Sequence, residues 1–400
     1  MSGAAAGHPV IYVEVNYRVS GFGFLAGSEL QKDGSTNLGL RDQRLGLQWV
    51  AENIAAFGGD PDKVTIWGES AGAISVFDQT IINGGDNTYN GKALFRAAIM
   101  DSGSVVPAQP VDNVRAQDVY NTVVSAAGCS GSADTLSCLR KVSFETFSNA
   151  VNSVPGIFSY RSLDLAYLPR PDPSNNFYSV SPEVAVSNGK YAKVPIIIGD
   201  QEDEGTLFSL TQSNISTTAE LVTYLQSYFP DPTGQALVPG LVATYPDDPS
   251  AGSPFRTGVL NNVYPQFKRL AAILGDITFT LARRSYLETV SSTVPAWSYL
   301  DTHLYGTPIL GTFHATDLLS LYFGVPAPSP RITIQTYYTS FAYYLDPNKI
   351  SGVSQIQWPQ YTSVGGNLLD VGLLSNTLTP DTFRQASYEY LRQYSDQLRV

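Results

Sequence analysis

Histidine and cysteine are scarce in this chain: 400 residues hold three of the first and two of the second. Counting alone excludes zinc sites of three or four cysteines. Cys129 and Cys138 also lack the close spacing of a mixed cysteine and histidine site. Any chemistry that needs an imidazole must draw on His8, His303 or His314. Basic residues are outnumbered, 24 Lys and Arg against 35 Asp and Glu, for a formal charge of −11. That balance excludes nucleic acid, whose phosphates are bound by a basic face, and disfavours anionic membrane surfaces. No stretch approaches the ~18 apolar residues of a membrane span, and the most apolar short run, residues 194–198, has the length of a strand. Residues 1–9 show neither the charged start nor the apolar core of a signal peptide, and the expectation from these residues is that they hold no export address. No repeat, low-complexity tract or linker divides the chain, and residues 1–400 read as one domain.

With 43% hydrophobic residues the chain can bury a large core. Residues 10–15 are mostly β-branched and predict a buried strand. Thr36 or Asn37 is placed to cap a helix through Leu45, Trp49, Val50 and Ile54, which Gly58-Gly59-Asp60-Pro61 ends. A strand over 64–67 follows, then Gly68-Glu69-Ser70-Ala71-Gly72, an apolar segment to Ile82, and a strand over 97–100. Residues 111–191 mix helical stretches with proline-rich loops such as 168–173 and read as an insertion that shapes a site. The sheet resumes at 194–199, and Asp200, Glu202, Asp203 and Glu204 fall at that strand's carboxyl end, where ligand groups belong in open α/β sheets. A long helix over 267–290 and a strand over 296–300 lead to a loop with His303 and His314. Strands alternating with helices predict an α/β fold, a mainly parallel sheet covered on both faces.

The segment around Ser70 has the form Gly-x-Ser-x-Gly. In a chain of this composition chance yields about 0.3 such patterns, so its setting has to decide. A β-branched strand leads in and helix-forming residues lead out, as a sharp turn that lifts a serine hydroxyl to a helix N-terminus requires. Such a hydroxyl needs a base within hydrogen-bond reach, and the base needs an acid that fixes its tautomer. The chain supplies the order serine, acid, histidine: Ser70, then Asp203 or Glu204, then His303 or His314. Order does not choose within either pair. His8 precedes the serine and reads as an exposed residue beside Pro9. The Cys129 to Cys138 spacing, in a segment rich in Ser and Gly, suits a small surface disulfide, with two unlinked thiols as the other reading.

These motifs resemble the type B carboxylesterase and cholinesterase-like family. The resemblance rests on Asn16-Tyr17-Arg18, Gly21-Phe22-Gly23-Phe24-Leu25, Asn37-Leu38-Gly39-Leu40, Leu47-Gln48-Trp49-Val50, Phe57 to Pro61 and Gly68 to Gly72. Tyr167-Leu168-Pro169-Arg170-Pro171, Asp203-Glu204-Gly205-Thr206, Ser253-Pro254-Phe255 and Gly311-Thr312-Phe313-His314 resemble its fungal lipase and sterol esterase branch. The resemblance implies an α/β-hydrolase fold. It implies Ser70 as nucleophile, Glu204 as acid and His314 as base, with Gly68, Glu69 and Gly72 shaping the nucleophile turn and the Ala71 N–H as an oxyanion donor. His303 then becomes an ordinary surface or loop residue. Leu207, Phe208, Ile277 and Phe279 correspond to walls of an acyl tunnel. The branch also implies the Cys129 to Cys138 disulfide, secretion, glycosylation with Asn214 as the acceptor, a small-molecule or lipid ester as substrate, and no metal or organic cofactor. Oligomeric state is left open.

One departure stands out. The family carries a glycine-rich oxyanion segment on a strand upstream of the stretch that begins here at Val10, and the nine residues before Val10 do not form it. The resemblance therefore implies a sheet lacking the family's first strands, an edge near residues 10–15, and an oxyanion hole half accounted for. The leading expectation is an N-terminally incomplete ester hydrolase. The alternative is a catalytically impaired or non-catalytic esterase-like binding protein, against which the retention of Ser70, Glu204 and His314 counts.

Overall fold

The computed structural model describes residues 7–351, 355–363 and 365–400. Its main sheet has six strands in chain order: Thr65–Glu69 (β1), Ala97–Asp101 (β2), Ile196–Gln201 (β3), Ala296–Asp301 (β4), Asn367–Val371 (β5) and Asn376–Pro380 (β6). Strands β1 to β5 pair in parallel and β6 returns antiparallel to β5. Every residue of β2, β3 and β4 is buried, which is why these strands read as apolar runs without alternation.

The helices that matter for the site are Leu38–Asn53 (α1), Ala71–Ile81 (α2), Val114–Ala126 (α3), Phe144–Val151 (α4), Phe267–Gly275 (α5), Leu281–Val290 (α6) and Pro328–Tyr344 (α7). Period-two alternation along the strands sorts the core into two layers. Ala98, Met100, Ile196 and Ile198 pack with Phe77 of α2 and Leu287 of α6 on one face. Ala97, Ile99, Ile197 and Trp297 meet Tyr337 and Phe341 of α7 on the other. Each large side chain sealed this way contributes about 1.5–3 kcal/mol. Beneath the sheet's carboxyl end, Arg283 bridges Asp200 at 2.8 Å and Asp381 at 2.8 and 3.0 Å, all fully buried. Burial disfavours the guanidinium charge, but Asp381 and Asp200 outweigh it and hold Arg283 protonated.

Residues 111–191 contain α3 and α4, whose Tyr120, Val123 and Val151 share a core with Leu139 and with Leu25 and Leu30 from the start of the chain. Cys129 and Cys138 are disulfide-bonded there. The 168–173 loop is pinned by Asn37, which exchanges two hydrogen bonds with the Arg170 backbone, and by the buried Arg170 guanidinium, which reaches the Val400 carbonyl at 2.8 Å.

The structure corrects four sequence expectations. Residues 10–15 form no strand, and Val10, Ile11 and Tyr12 are exposed. An apolar run becomes a strand only with a ladder partner, and none pairs with it among the described residues, so the edge of the sheet is β1. Asn37 stands at the start of α1, but its side chain is spent on Arg170 and does not cap the helix. Leu45 and Trp49 face outward, so α1 packs through Leu40 and Val50 instead. The helix expected over 267–290 is interrupted by a π turn, Asp276–Thr280, where Asp276 takes Arg384 at 2.6 and 2.7 Å and the Tyr245 hydroxyl at 3.0 Å.

Candidate active site

Strand β1 ends at Glu69, helix α2 begins at Ala71, and Ser70 turns the chain between them at φ 55°, ψ −120°. A non-glycine residue held there costs on the order of 1–3 kcal/mol, which the surroundings must supply. Its N–H donates to the Asp101 carbonyl at 2.9 Å, tying the turn to β2. A Cβ on Gly68 would lie 2.3 Å from the Gly72 carbonyl carbon, and one on Gly103 would lie 2.7 Å from the Ser70 oxygen. A Cβ on Gly72 would meet nothing within 4 Å, so of the two glycines in the pentad only the first is a steric requirement. Ala71 is exposed in the first turn of α2, where backbone N–H groups have no intrahelical acceptor and the helix dipole favours negative charge.

The loops that carry His314 and Glu204 converge on this turn. His314 Nε2 lies 2.7 Å from Ser70 Oγ, and His314 Nδ1 lies 2.5 Å from Glu204 Oε2. The other carboxylate oxygen of Glu204 accepts the Gln201 N–H at 2.7 Å. With Nδ1–H directed at a carboxylate, Nε2 is left to accept from the serine hydroxyl. Of the alternatives left open by chain order, Glu204 and His314 lie in this path to Ser70, and Asp203 and His303 are engaged elsewhere. Asp203, 1% exposed, accepts Ser253 Oγ and the Phe255 N–H at 2.8 Å and the Thr312 N–H at 3.0 Å, and so straps the Glu204 loop to the His314 loop. His303 lies in the loop after β4, as one half of its reading had it, but it is 2% exposed with Nδ1 2.5 Å from Asp301, so it is not a surface residue. His8 is half-buried against the Tyr344 hydroxyl at 3.0 Å.

Electrostatics around the imidazole follow from these distances. Burial works against a charged His314, yet Glu204, aided by Glu69 and Asp200, outweighs it and holds the ring above its ordinary pKa of 6.5. Glu69 sits 3.5 Å from Nε2, and burial pushes its own carboxyl up to about 7. Burial likewise pushes Asp203 up to about 7, against the pull of its three donors.

A cavity of about 630 Å³ is lined by Ala71, the residue after Ser70, together with Ile74, Leu163, Ile277 and Leu281. Of the four residues expected on a tunnel wall, Ile277 lines this cavity and the other three do not. Phe208 and Phe279 instead lie against the His314 ring, centroids 5.0 and 4.7 Å away, and Leu207 is half-buried in a short turn. The π turn after α5 carries both Ile277, on the cavity, and Phe279, on the imidazole. Asn214 is exposed. Among the described residues no group of three or more His, Cys, Asp or Glu stands close enough to hold a metal, and no helix is long and apolar enough to cross a membrane.

Sequence reasoning missed Asp203 as the strap between loops and Gly205, where a Cβ would lie 1.9 Å from the Ala271 carbonyl of α5. It also passed over Asp78, whose signal was a carboxylate inside the otherwise uncharged α2.

Comparison with known proteins places these features. A model of the carboxylesterase family matches residues 4–390. Secreted lipase 1 of Botryotinia fuckeliana (strain B05.10) is 57% identical over 390 residues, covering 97% of this chain and 67% of its own. The secreted triacylglycerol lipase LIP1 of Gibberella zeae is 55% identical over 388 residues, covering 96% of this chain and 65% of its own. The chain thus spans about two thirds of the length of these relatives. Among solved structures, Aspergillus niger EstA superposes with a TM-score of 0.76 at 25% identity, over 96% of this chain and 74% of that one.

Proposed function

The chain belongs to the carboxylesterase family, and we propose that it hydrolyses carboxylic esters with apolar acyl groups through Ser70, His314 and Glu204. The observation that carries this reading is the continuous path from Ser70 Oγ to His314 at 2.7 Å and on to Glu204 at 2.5 Å, built on a serine at positive φ. Ser70 attacks the ester carbonyl while His314 Nε2 takes its proton. Glu204 holds the ring in the Nδ1–H tautomer and stabilises the imidazolium that forms. The Ala71 N–H, at the positive end of α2, donates to the developing oxyanion. His314 returns the proton to the leaving alcohol, an acyl-enzyme remains on Ser70, and water activated by the same imidazole releases the acid. The acyl chain is accommodated in the cavity that Ala71 helps to line, whose apolar walls at Ile74, Ile277 and Leu281 favour aliphatic groups.

Secretion is part of the proposal. A disulfide suits an oxidising compartment, Asn214 is exposed for glycosylation, and both relatives named above are called secreted. The activity is tested by hydrolysis of a short and a long 4-nitrophenyl ester by the chain and by its Ser70→Ala variant. Turnover that disappears in the variant supports the reading; turnover that survives it, or none from folded protein, contradicts it.

A further inference from the structure

We propose that Asp78 determines specificity within the acyl cavity by selecting aliphatic acyl chains that carry a hydroxyl near mid-chain. This rests on the ester-hydrolase reading above and deepens it. Ala71, Ile74, Ser75 and Asp78 all line the cavity, at spacings of three, four and seven residues that put them on one stripe of α2. The stripe begins at the residue after Ser70. Asp78 therefore lies ~12 Å along the helix from Ser70 at ~1.5 Å per residue, the reach of roughly ten methylenes in an extended chain. The facing wall, Leu163, Ile277 and Leu281, is aliphatic.

On that stripe Asp78 is the polar group left open. Ser75 Oγ is engaged by the Gln43 amide at 2.9 Å. Asp78 is 1% exposed; its Oδ1 accepts the Tyr178 hydroxyl at 2.9 Å, and its Oδ2 has no hydrogen-bond partner among the described residues. No Lys or Arg pairs with it among the described residues, and burial holds the carboxyl protonated, well above the ordinary carboxylate range despite Tyr178. A neutral carboxylic acid whose O–H finds no acceptor in the protein is costly in an apolar wall. A hydroxyl on the bound chain supplies that acceptor, while a plain alkyl chain leaves the O–H unpaired.

The test compares kcat/KM for the methyl esters of octadecanoic, 10-hydroxyoctadecanoic and 2-hydroxyoctadecanoic acids. The mid-chain hydroxy ester is expected to be preferred over the plain ester by roughly tenfold, the effect of about one hydrogen bond. The 2-hydroxy ester, whose oxygen lies far from Asp78, gains nothing. Asp78→Leu abolishes the preference, and Asp78→Asn, whose amide still donates, retains it. A ratio near one in the unaltered chain, equal gains for both hydroxy esters, or a preference that survives Asp78→Leu overturns the proposal. A second arm needs no turnover: the free acids displace a fluorescent fatty acid from the Ser70→Ala chain, with and without Asp78→Leu. Hydrolysis that persists in Ser70→Ala defeats the underlying ester-hydrolase reading, while the displacement ratio still decides the role of Asp78.

Discussion

In the proposed mechanism His314 meets two opposed demands: it is 6% exposed, which disfavours charge, and it must carry a proton during turnover. Glu204 at 2.5 Å resolves the conflict by raising the ring's affinity for a proton, and the sign of the pH dependence follows. With the neutral ring as the proposed base, activity is expected above the folded pKa and is expected to be lost as pH falls through it. The acid limb of kcat/KM is therefore expected to have its midpoint above 6.5. Glu69 titrates near 7 in contact with the same ring, so the limb reports the pair as a unit. Glu69→Gln, which removes a negative charge 3.5 Å from Nε2, moves the midpoint to lower pH in a pH-rate profile; an unmoved or raised midpoint contradicts the assignment. Glu204→Gln keeps the shape but not the charge, and kcat is expected to fall by about 10²- to 10⁴-fold. At this scale the sequence was informative where a residue type was scarce. Three histidines left few candidates for a base. Chain order was mute on Asp203 against Glu204, because adjacent acids differ only in which way the turn points them, and only the family resemblance favoured Glu204.

The nucleophile turn and the strap between loops are properties of elements. Gly68→Ala is expected to be severe, since its Cβ would enter the Gly72 backbone at 2.3 Å, with a loss of about 3 kcal/mol or more if the chain still folds. Gly72→Ala meets open space and is expected to stay within ~1 kcal/mol. Denaturation midpoints separate the two, and equal effects contradict the steric account. Asp203→Ala leaves Ser253, Phe255 and Thr312 donors unpaired in a buried site, at a cost of about 2–3 kcal/mol. An unchanged midpoint would deny Asp203 its role as strap. Buried strands were legible because continuous apolar runs such as Ile196 to Ile198 have few other homes. Residues 10–15 misled for the complementary reason: composition records a preference for extended backbone, not the neighbour that completes a ladder. β5 and β6 were overlooked because five residues with Asn, Asp and Pro among them carry little strand signal. The π turn was invisible as well; Arg384, which Asp276 takes there, comes from more than 100 residues away.

For the molecule as a whole, buried acids with raised pKa values set the pH profile of stability. Asp203 and Glu69 near 7, and Asp78 well above the carboxylate range, remain protonated in the folded state while the unfolded chain ionises near 4. Between those values the folded state binds more protons, so stability falls as pH rises. His314 acts in the same direction, its contribution being lost as pH rises through its raised pKa. Surface acids such as Asp33, lowered to about 2 by Arg140, lose their contribution only on the far acid side. Tm is thus expected to be higher at pH 5 than at pH 8, and a Tm that rises over that range contradicts the protonation states assigned here. The central claim, a single activated serine coupled to His314 and Glu204, is tested most directly by the intact mass of the chain after treatment with an alkyl 4-nitrophenyl phosphonate. The account predicts one adduct, located at Ser70, absent from Ser70→Ala and greatly slowed in His314→Ala. An adduct on another residue, equal labelling of the His314→Ala variant, or no labelling of the folded chain would contradict it.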